Sequence, residues 1–341
     1  MVLLFVAICA LWRTTSAVIC KSCQQIEDAS LRRCDENCLG DACVFWKWED
    51  KSSIEGRPST QIQQGCMSGL DLSVFEMGCR KNFVDATLCL CNDRDECNDI
   101  RDDEAMMREK QIQLPNVRCR NYAEAPYITP RSKNNFCAAN YCFYALTEVA
   151  NFIGEREVLT MANCGQLPQY VFDLTLSSIW PGPALYSGGC YLLQMQGDNI
   201  NLGCMCAEES CNAEAAYPVR KGSVICHLAY GVSNETAMEN STCTGDYCLL
   251  QKTNFTNYGV QYLKGCLSVN DTVAVAKITA GYRNILGLEQ WLCNDELCNA
   301  RVDAAILSIA KPTPPAFASI ASARTHLIAL FLVFVSALIV Q

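Results

Sequence analysis

The chain has 341 residues, 25 of them cysteine and only 2 histidine, and a formal charge of −9. That cysteine content points to disulfide-stapled domains in an oxidising compartment. The acidic balance argues against a nucleic-acid partner, which needs a basic face, and two histidines leave little for metal sites or general-base chemistry.

Met1–Ala17 contains an apolar run, Val2–Trp12, and ends in the small residues Thr15-Ser16-Ala17, so 1–17 reads as a secretory signal peptide. Arg13 follows the apolar run instead of preceding it, and a buried N-terminal helix is the alternative. Cleavage leaves Val18 as the first mature residue and removes Cys9. The remaining 24 cysteines are an even number, as complete pairing requires.

A threefold repeat follows. The first copy, 18–98, opens with Val18-Ile19-Cys20, contains the pair Cys38/Cys43 and closes with Cys97-Asn98. Within it Val44–Glu49 alternates in the manner of a strand, with Trp46 and Trp48 on one face. The linker 99–116 carries charged runs at Arg101–Glu104 and Arg108–Lys110 and reads as a short helical or flexible spacer. The second copy, 117–212, opens with Val117-Arg118-Cys119, contains Cys137/Cys142 and closes with Cys211-Asn212. A shorter connection, 213–223, leads to the third copy, 224–299. That copy opens with Val224-Ile225-Cys226, contains Cys243/Cys248 and closes with Cys298-Asn299. From opening cysteine to pair the spacing is 18, 18 and 17 residues, and Cys66, Cys164 and Cys266 follow after a further 23, 22 and 18. Segment 300–318, with Pro312, Pro314 and Pro315, predicts a semi-extended stalk. Leu327–Val340 is uncharged but shorter than the ~20 residues a spanning helix needs. With the small-residue stretch Ala316–Ala323 before it, 319–341 reads as a GPI-attachment signal whose tail is removed. Ser319 is the expected attachment residue, with Ala318 and Ser322 as close rivals and a short tail anchor as the alternative reading. Processing at both ends would leave 25 basic residues against 36 acidic, a net of −11.

The three copies hold ten, eight and six cysteines. This pattern, with Asn after the last cysteine, resembles the three-finger superfamily of lymphocyte antigens, the urokinase receptor and snake neurotoxins. The resemblance implies an all-β chain of three tandem small disulfide-rich three-finger domains. For the first copy it implies Cys20–Cys43, Cys23–Cys34, Cys38–Cys66, Cys79–Cys89 and Cys91–Cys97. For the second it implies Cys119–Cys142, Cys137–Cys164, Cys190–Cys204 and Cys206–Cys211. For the third it implies Cys226–Cys248, Cys243–Cys266 and Cys293–Cys298. The second copy lacks counterparts of Cys23 and Cys34, and the third also lacks those of Cys79 and Cys89, so cysteines are missing only as couples that the family pairs. Leu90 and Met205 separate cysteines that many family members hold side by side. A domain of ~80 residues buries little apolar surface, and each bridge closing a loop of ~20 residues contributes about 3 kcal/mol.

Only His227 survives processing, beside Cys226, and no base–nucleophile pair is legible around it. Bridged cysteines are neither nucleophiles nor zinc ligands. The expectation is a non-enzyme with no cofactor and no metal. Glycosylation acceptors stand at Asn234, Asn240, Asn254 and Asn270, all in the third copy. Between Cys164 and Cys206 lie 41 residues, against 24 and 26 in the matching intervals of the other copies. The excess includes Tyr170, Phe172, Trp180 and Tyr186, aromatic residues that either anchor a partner or pack on a neighbouring domain. Trp46 and Trp48 are a second candidate pair, with packing on the sheet face as the alternative. The expected function is a GPI-anchored cell-surface protein on the extracellular side of the plasma membrane. It would bind a protein ligand, or act as co-receptor or adhesion component, through its finger loops. Modulation of a membrane receptor or ion channel is the alternative, and a secreted inhibitor or hydrolase a weaker one.

Overall fold

The computed structural model describes residues 17–27, 34–50, 59–81, 85–100, 108–126, 134–150, 153–165, 189–255, 259–272 and 277–310. Over these residues the fold is all-β. The first repeat supplies β1 (Val18–Lys21), β2 (Cys23–Glu27), β3 (Asn37–Gly40), β4 (Ala42–Asp50), β5 (Ser59–Ser68), β6 (Gly78–Lys81) and β7 (Thr87–Cys91). The second supplies β8 (Val117–Arg120), β9 (Tyr122–Glu124), β10 (Phe136–Ala139), β11 (Tyr141–Ala150), β12 (Arg156–Gly165), β13 (Gly189–Gln196) and β14 (Asn199–Cys206). The third supplies β15 (Val224–His227), β16 (Ala229–Val232), β17 (Thr242–Gly245), β18 (Tyr247–Phe255), β19 (Gly259–Asn270), β20 (Gly281–Ile285) and β21 (Leu288–Cys293).

In each repeat the opening cysteine lies on a short two-stranded antiparallel ribbon: β1–β3, β8–β10 and β15–β17. The longer strands pair antiparallel around the cysteine that follows the repeat's Cys-x4-Cys pair. Alternation in β4 puts Val44 in a cluster with Ala42, Met67, Phe75 and Leu90, and Phe45 in another with Ile62, Cys79, Cys89 and Ile100. Both faces of this strand are therefore covered, which is why Val44-Phe45-Trp46 reads as a continuous apolar run.

The sequence did not foretell how the repeats join. The long strands form one sheet in the order β6-β7-β4-β5-β20-β21-β18-β19-β13-β14-β11-β12-β9, with β2 on β5 and β16 on β19. The third repeat thus lies between the first and the second. At the β13–β19 seam five residue pairs run from Cys190↔Asn270 to Gln194↔Cys266. Tyr141, Tyr191, Leu193 and Met205 of the second repeat share one buried cluster with Leu249, Leu267, Ile278 and Leu292 of the third. Burial of such side chains stabilises by roughly 1.5–3 kcal/mol each, so the seam is a core and not a surface contact. The other seam pairs Asn284 and Ile285 with Ser68 and Met67. Here the turn Leu286-Gly287 has two positive φ angles, 53° and 82°, as a two-residue hairpin of primed type requires. Leu286 accepts that conformation because its side chain packs over Gly65 of the first repeat and its N–H donates to Cys66 O at 3.0 Å.

The connections are packed against the repeats that they join. The end of 99–116 is bound to β6: Cys79 N–H donates to Lys110 O at 2.7 Å and Ile112 N–H to Cys79 O at 2.8 Å. It covers a sheet edge that would otherwise present unpaired backbone. In 213–223, Ala215, Tyr217 and Val219 pack on Tyr122, Tyr144 and the Cys190/Cys204 pair, and Gly222 N–H donates to Ser268 Oγ at 2.9 Å. Segment 300–318, expected to be semi-extended, is helical at its start: α1 spans Val302–Ile309. Ala305, Val302 and Ile309 pack on the third repeat's cysteines and Trp291, and this apolar face outweighs the extended bias of the later prolines. Among the described residues no helix is long and apolar enough to cross a membrane.

Candidate functional site

Every cysteine from Cys20 to Cys298 lies in a bridge. The first repeat joins Cys20–Cys43, Cys23–Cys34, Cys38–Cys66, Cys79–Cys89 and Cys91–Cys97. The second joins Cys119–Cys142, Cys137–Cys164, Cys190–Cys204 and Cys206–Cys211. The third joins Cys226–Cys248, Cys243–Cys266 and Cys293–Cys298. These are the same pairs that the resemblance implies. Cys43, Cys91 and Cys97 bring their sulfurs within 4.8 Å of one another, the spacing of a metal cluster, but each sulfur is half of a bridge and has no thiolate to give.

The Asn after each final cysteine closes the hub, a role its recurrence alone did not reveal. Asn98 accepts from Lys21 N–H through Oδ1 at 2.9 Å, and its Nδ2 donates to Lys21 O at 3.0 Å and Val44 O at 2.9 Å. Asn212 makes the matching set with Arg120 N–H, Arg120 O and Phe143 O. Asn299 does so with His227 N–H, His227 O and Leu249 O. All three are buried, so one carboxamide ties the opening strand to the central strand where water cannot serve. Two residues earlier, Glu96, Ser210 and Leu297 are left-handed, with φ 54°, 56° and 56°. Their N–H groups donate to Ile19 O, Arg118 O and Ile225 O at 2.6–2.7 Å.

Trp46 and Trp48 share a face, their rings stacked at a centroid distance of 4.0 Å. Trp46 is only 3% exposed, so it packs instead of meeting a ligand, and Trp48 is half-buried. Tyr170, Phe172, Trp180 and Tyr186 lie outside the described residues, as do Ser319 and the signal segment up to Ser16. Asn234, Asn240 and Asn254 are exposed. Asn270 is half-buried at the β13–β19 seam, and its Nδ2 donates to Pro218 O at 2.8 Å.

The ionisable groups in the interior hold structure together. Lys264 is 0% exposed; its Nζ donates to Glu235 O at 2.5 Å and to Ala300 O at 2.6 Å, and burial lowers its pKa. His227 is lowered by burial first and then by the Lys264 charge. Arg80 and Arg283 both follow a Gly-x-Arg pattern, and the Nη2 of each donates to the carbonyl four residues earlier, Glu76 O and Thr279 O. Burial pushes Arg283 down to about 10.

A family model described as a domain of unknown function (DUF7622) matches residues 219–303, the third repeat with its flanks. No curated protein matches the chain.

Proposed function

We propose that the chain is a non-catalytic extracellular protein of three tandem three-finger domains, held to the outer leaflet by a GPI anchor, that binds a protein ligand. The observation that carries this reading is the spending of all 24 cysteines from Cys20 onward in bridges around three hubs, each closed by the same buried Asn. Such a build supplies rigid β-loops on a covalent knot, which suits display of a binding surface; it offers no thiol chemistry. His227, with burial favouring its neutral form and its backbone engaged by Asn299, serves the hub and not a reaction.

Two measurements test the reading. Phosphatidylinositol-specific phospholipase C should release the protein from intact cells, and retention under a demonstrably active enzyme would remove the anchor. Cross-linking on those cells should capture an extracellular protein. Recovery of lipid or glycan alone would remove the protein-ligand assignment.

A further inference from the structure

The two seams of the sheet are one joint made twice. In each, the first strand of a repeat's last hairpin adds its outer edge to the strand carrying the cysteine after the Cys-x4-Cys pair: β13 to β19, and β20 to β5. The register is the same. Leu193 stands opposite Leu267, the residue after Cys266, and Ile285 opposite Met67, the residue after Cys66. The next residue of the incoming chain, Gln194 or Leu286, then crosses a glycine. A Cβ on Gly265 would stand 2.2 Å from Gln194 O, and one on Gly65 2.9 Å from Leu286 Cδ2. The joint thus needs an open strand edge on one side and a glycine on the other.

Three repeats hold three strands of each kind, and the two joints use two of each. β6 and β12 are left over, towards opposite ends of the sheet. Unguarded, they would join one copy to the next head to tail, a contact that does not close on itself. Both are guarded. In β12 the place of Gly65 and Gly265 is taken by Asn163, which is exposed and whose Oδ1 accepts from Cys164 N–H at 2.7 Å. The counterpart of Cys164 in the first repeat, Cys66, uses its backbone in the joint, accepting from Leu286 N–H at 3.0 Å. Asn163 therefore puts a side chain where the incoming strand must cross, and engages the backbone that the strand would meet. Among the described residues no strand pairs with Cys164 or Gly165 on the side away from β11.

On β6 the guard is the end of the first linker. Its bonds to Cys79 run through Lys110 O and Ile112 N–H, and Gln111 bridges Cys79 in parallel, whereas both joints are antiparallel. Two ion pairs fasten it: Arg94 Nη2 lies 3.0 Å from Glu109 Oε1, and Lys110 Nζ 2.8 Å from Glu76 Oε1. Lys81, at the register place of Leu192 and Asn284, is exposed, and a lysine on a strand edge opposes further pairing. We infer that Asn163 and Glu109–Ile112 are two end stops, which keep the sheet from continuing into a second copy of this chain. The inference is independent of the ligand and of the anchor.

The test is sedimentation of the full chain from eukaryotic secretory cells, with hydrogen exchange on the same samples. Asn163→Gly installs the residue of the other two repeats. Ile112→Pro removes the N–H that Cys79 O accepts. Glu109→Lys with Lys110→Glu, which meets like charge at Arg94 and Glu76, releases the same segment without a proline. The parent and each single-stop variant should sediment as one copy. Asn163→Gly combined with either release should gain mass about twofold or more as concentration rises, with slower exchange at Lys81 and at Cys164–Gly165. Combined variants that both stay single at about 1 mM overturn the inference. So does a parent that associates through these two edges, or a single-stop variant that assembles as fully as the combined one. Assembly with slowed exchange only at other strands overturns the assignment to β6 and β12.

Discussion

At Asn299 one side chain satisfies an N–H and two carbonyls on separate strands, all in the dry interior of the third hub. A hydrogen bond nets about 1 kcal/mol, and leaving its buried partners bare costs more. Asn299→Ala should therefore destabilise the third repeat by roughly 3 kcal/mol. Trp291, buried in the same cluster, reports this directly through fluorescence in a urea titration without reductant. The neighbouring His227 gives a pH signature. Its folded-state pKa lies below the ordinary 6.5, so the folded state binds fewer protons than the unfolded state there. The unfolding midpoint should fall as pH drops through 6.5 and below, and His227→Gln should remove that part of the slope. An identical slope in the variant would show that His227 plays no part. Sequence made the recurrence of Cys-Asn plain, because both residues are adjacent and repeat three times. What the Asn does was hidden, because its partners Lys21, Arg120 and His227 lie 72–92 positions away.

Among the elements, strands were legible and the helix was not. The alternation over Val44–Glu49 marks β4 and the shared face of Trp46 and Trp48, while the prolines near 312–315 bias their segment towards extended backbone and mask the helix at Val302–Ile309. That helix is held from below by Lys264, whose ammonium bridges Ala300 O and Glu235 O, while Glu235 Oε1 accepts from Val302 N–H at 2.6 Å. Lys264→Met preserves most of the volume and removes the bridge. Amides of 303–309 should then exchange with solvent about tenfold faster, and those of β18 and β21 at the parent rate. Hydrogen exchange read by mass spectrometry separates the two groups, and unchanged exchange in the helix would mean that apolar packing alone holds it.

Over the whole molecule, cysteine arithmetic could count the repeats but could not order them. Spacing within a repeat is local information, whereas the pairing of β5 with β20 and of β13 with β19 joins strands of different repeats, far apart in the chain. Gly265 tests the second seam alone: a Cβ there would stand 2.2 Å from Gln194 O. Gly265→Ala should loosen that seam by about 1–3 kcal/mol, seen as faster proteolysis within 213–223 and a larger radius of gyration. A parent-like cleavage rate would mean that strand pairing is not what holds the repeats together.

The order of the sheet also fixes a sequence of events at the ribosome. The third repeat is the middle of the finished sheet, so β13 emerges with its seam edge unpaired and waits for β19, whereas β5, paired with β2 from Thr60 to Gln64, leaves only Met67 and Ser68 for β20. During that interval the nascent chain presents an unsatisfied edge to its neighbours. A truncation that removes the third repeat would leave the β13 edge open permanently, so the shortened product faces association with other chains even though its own bridges can close.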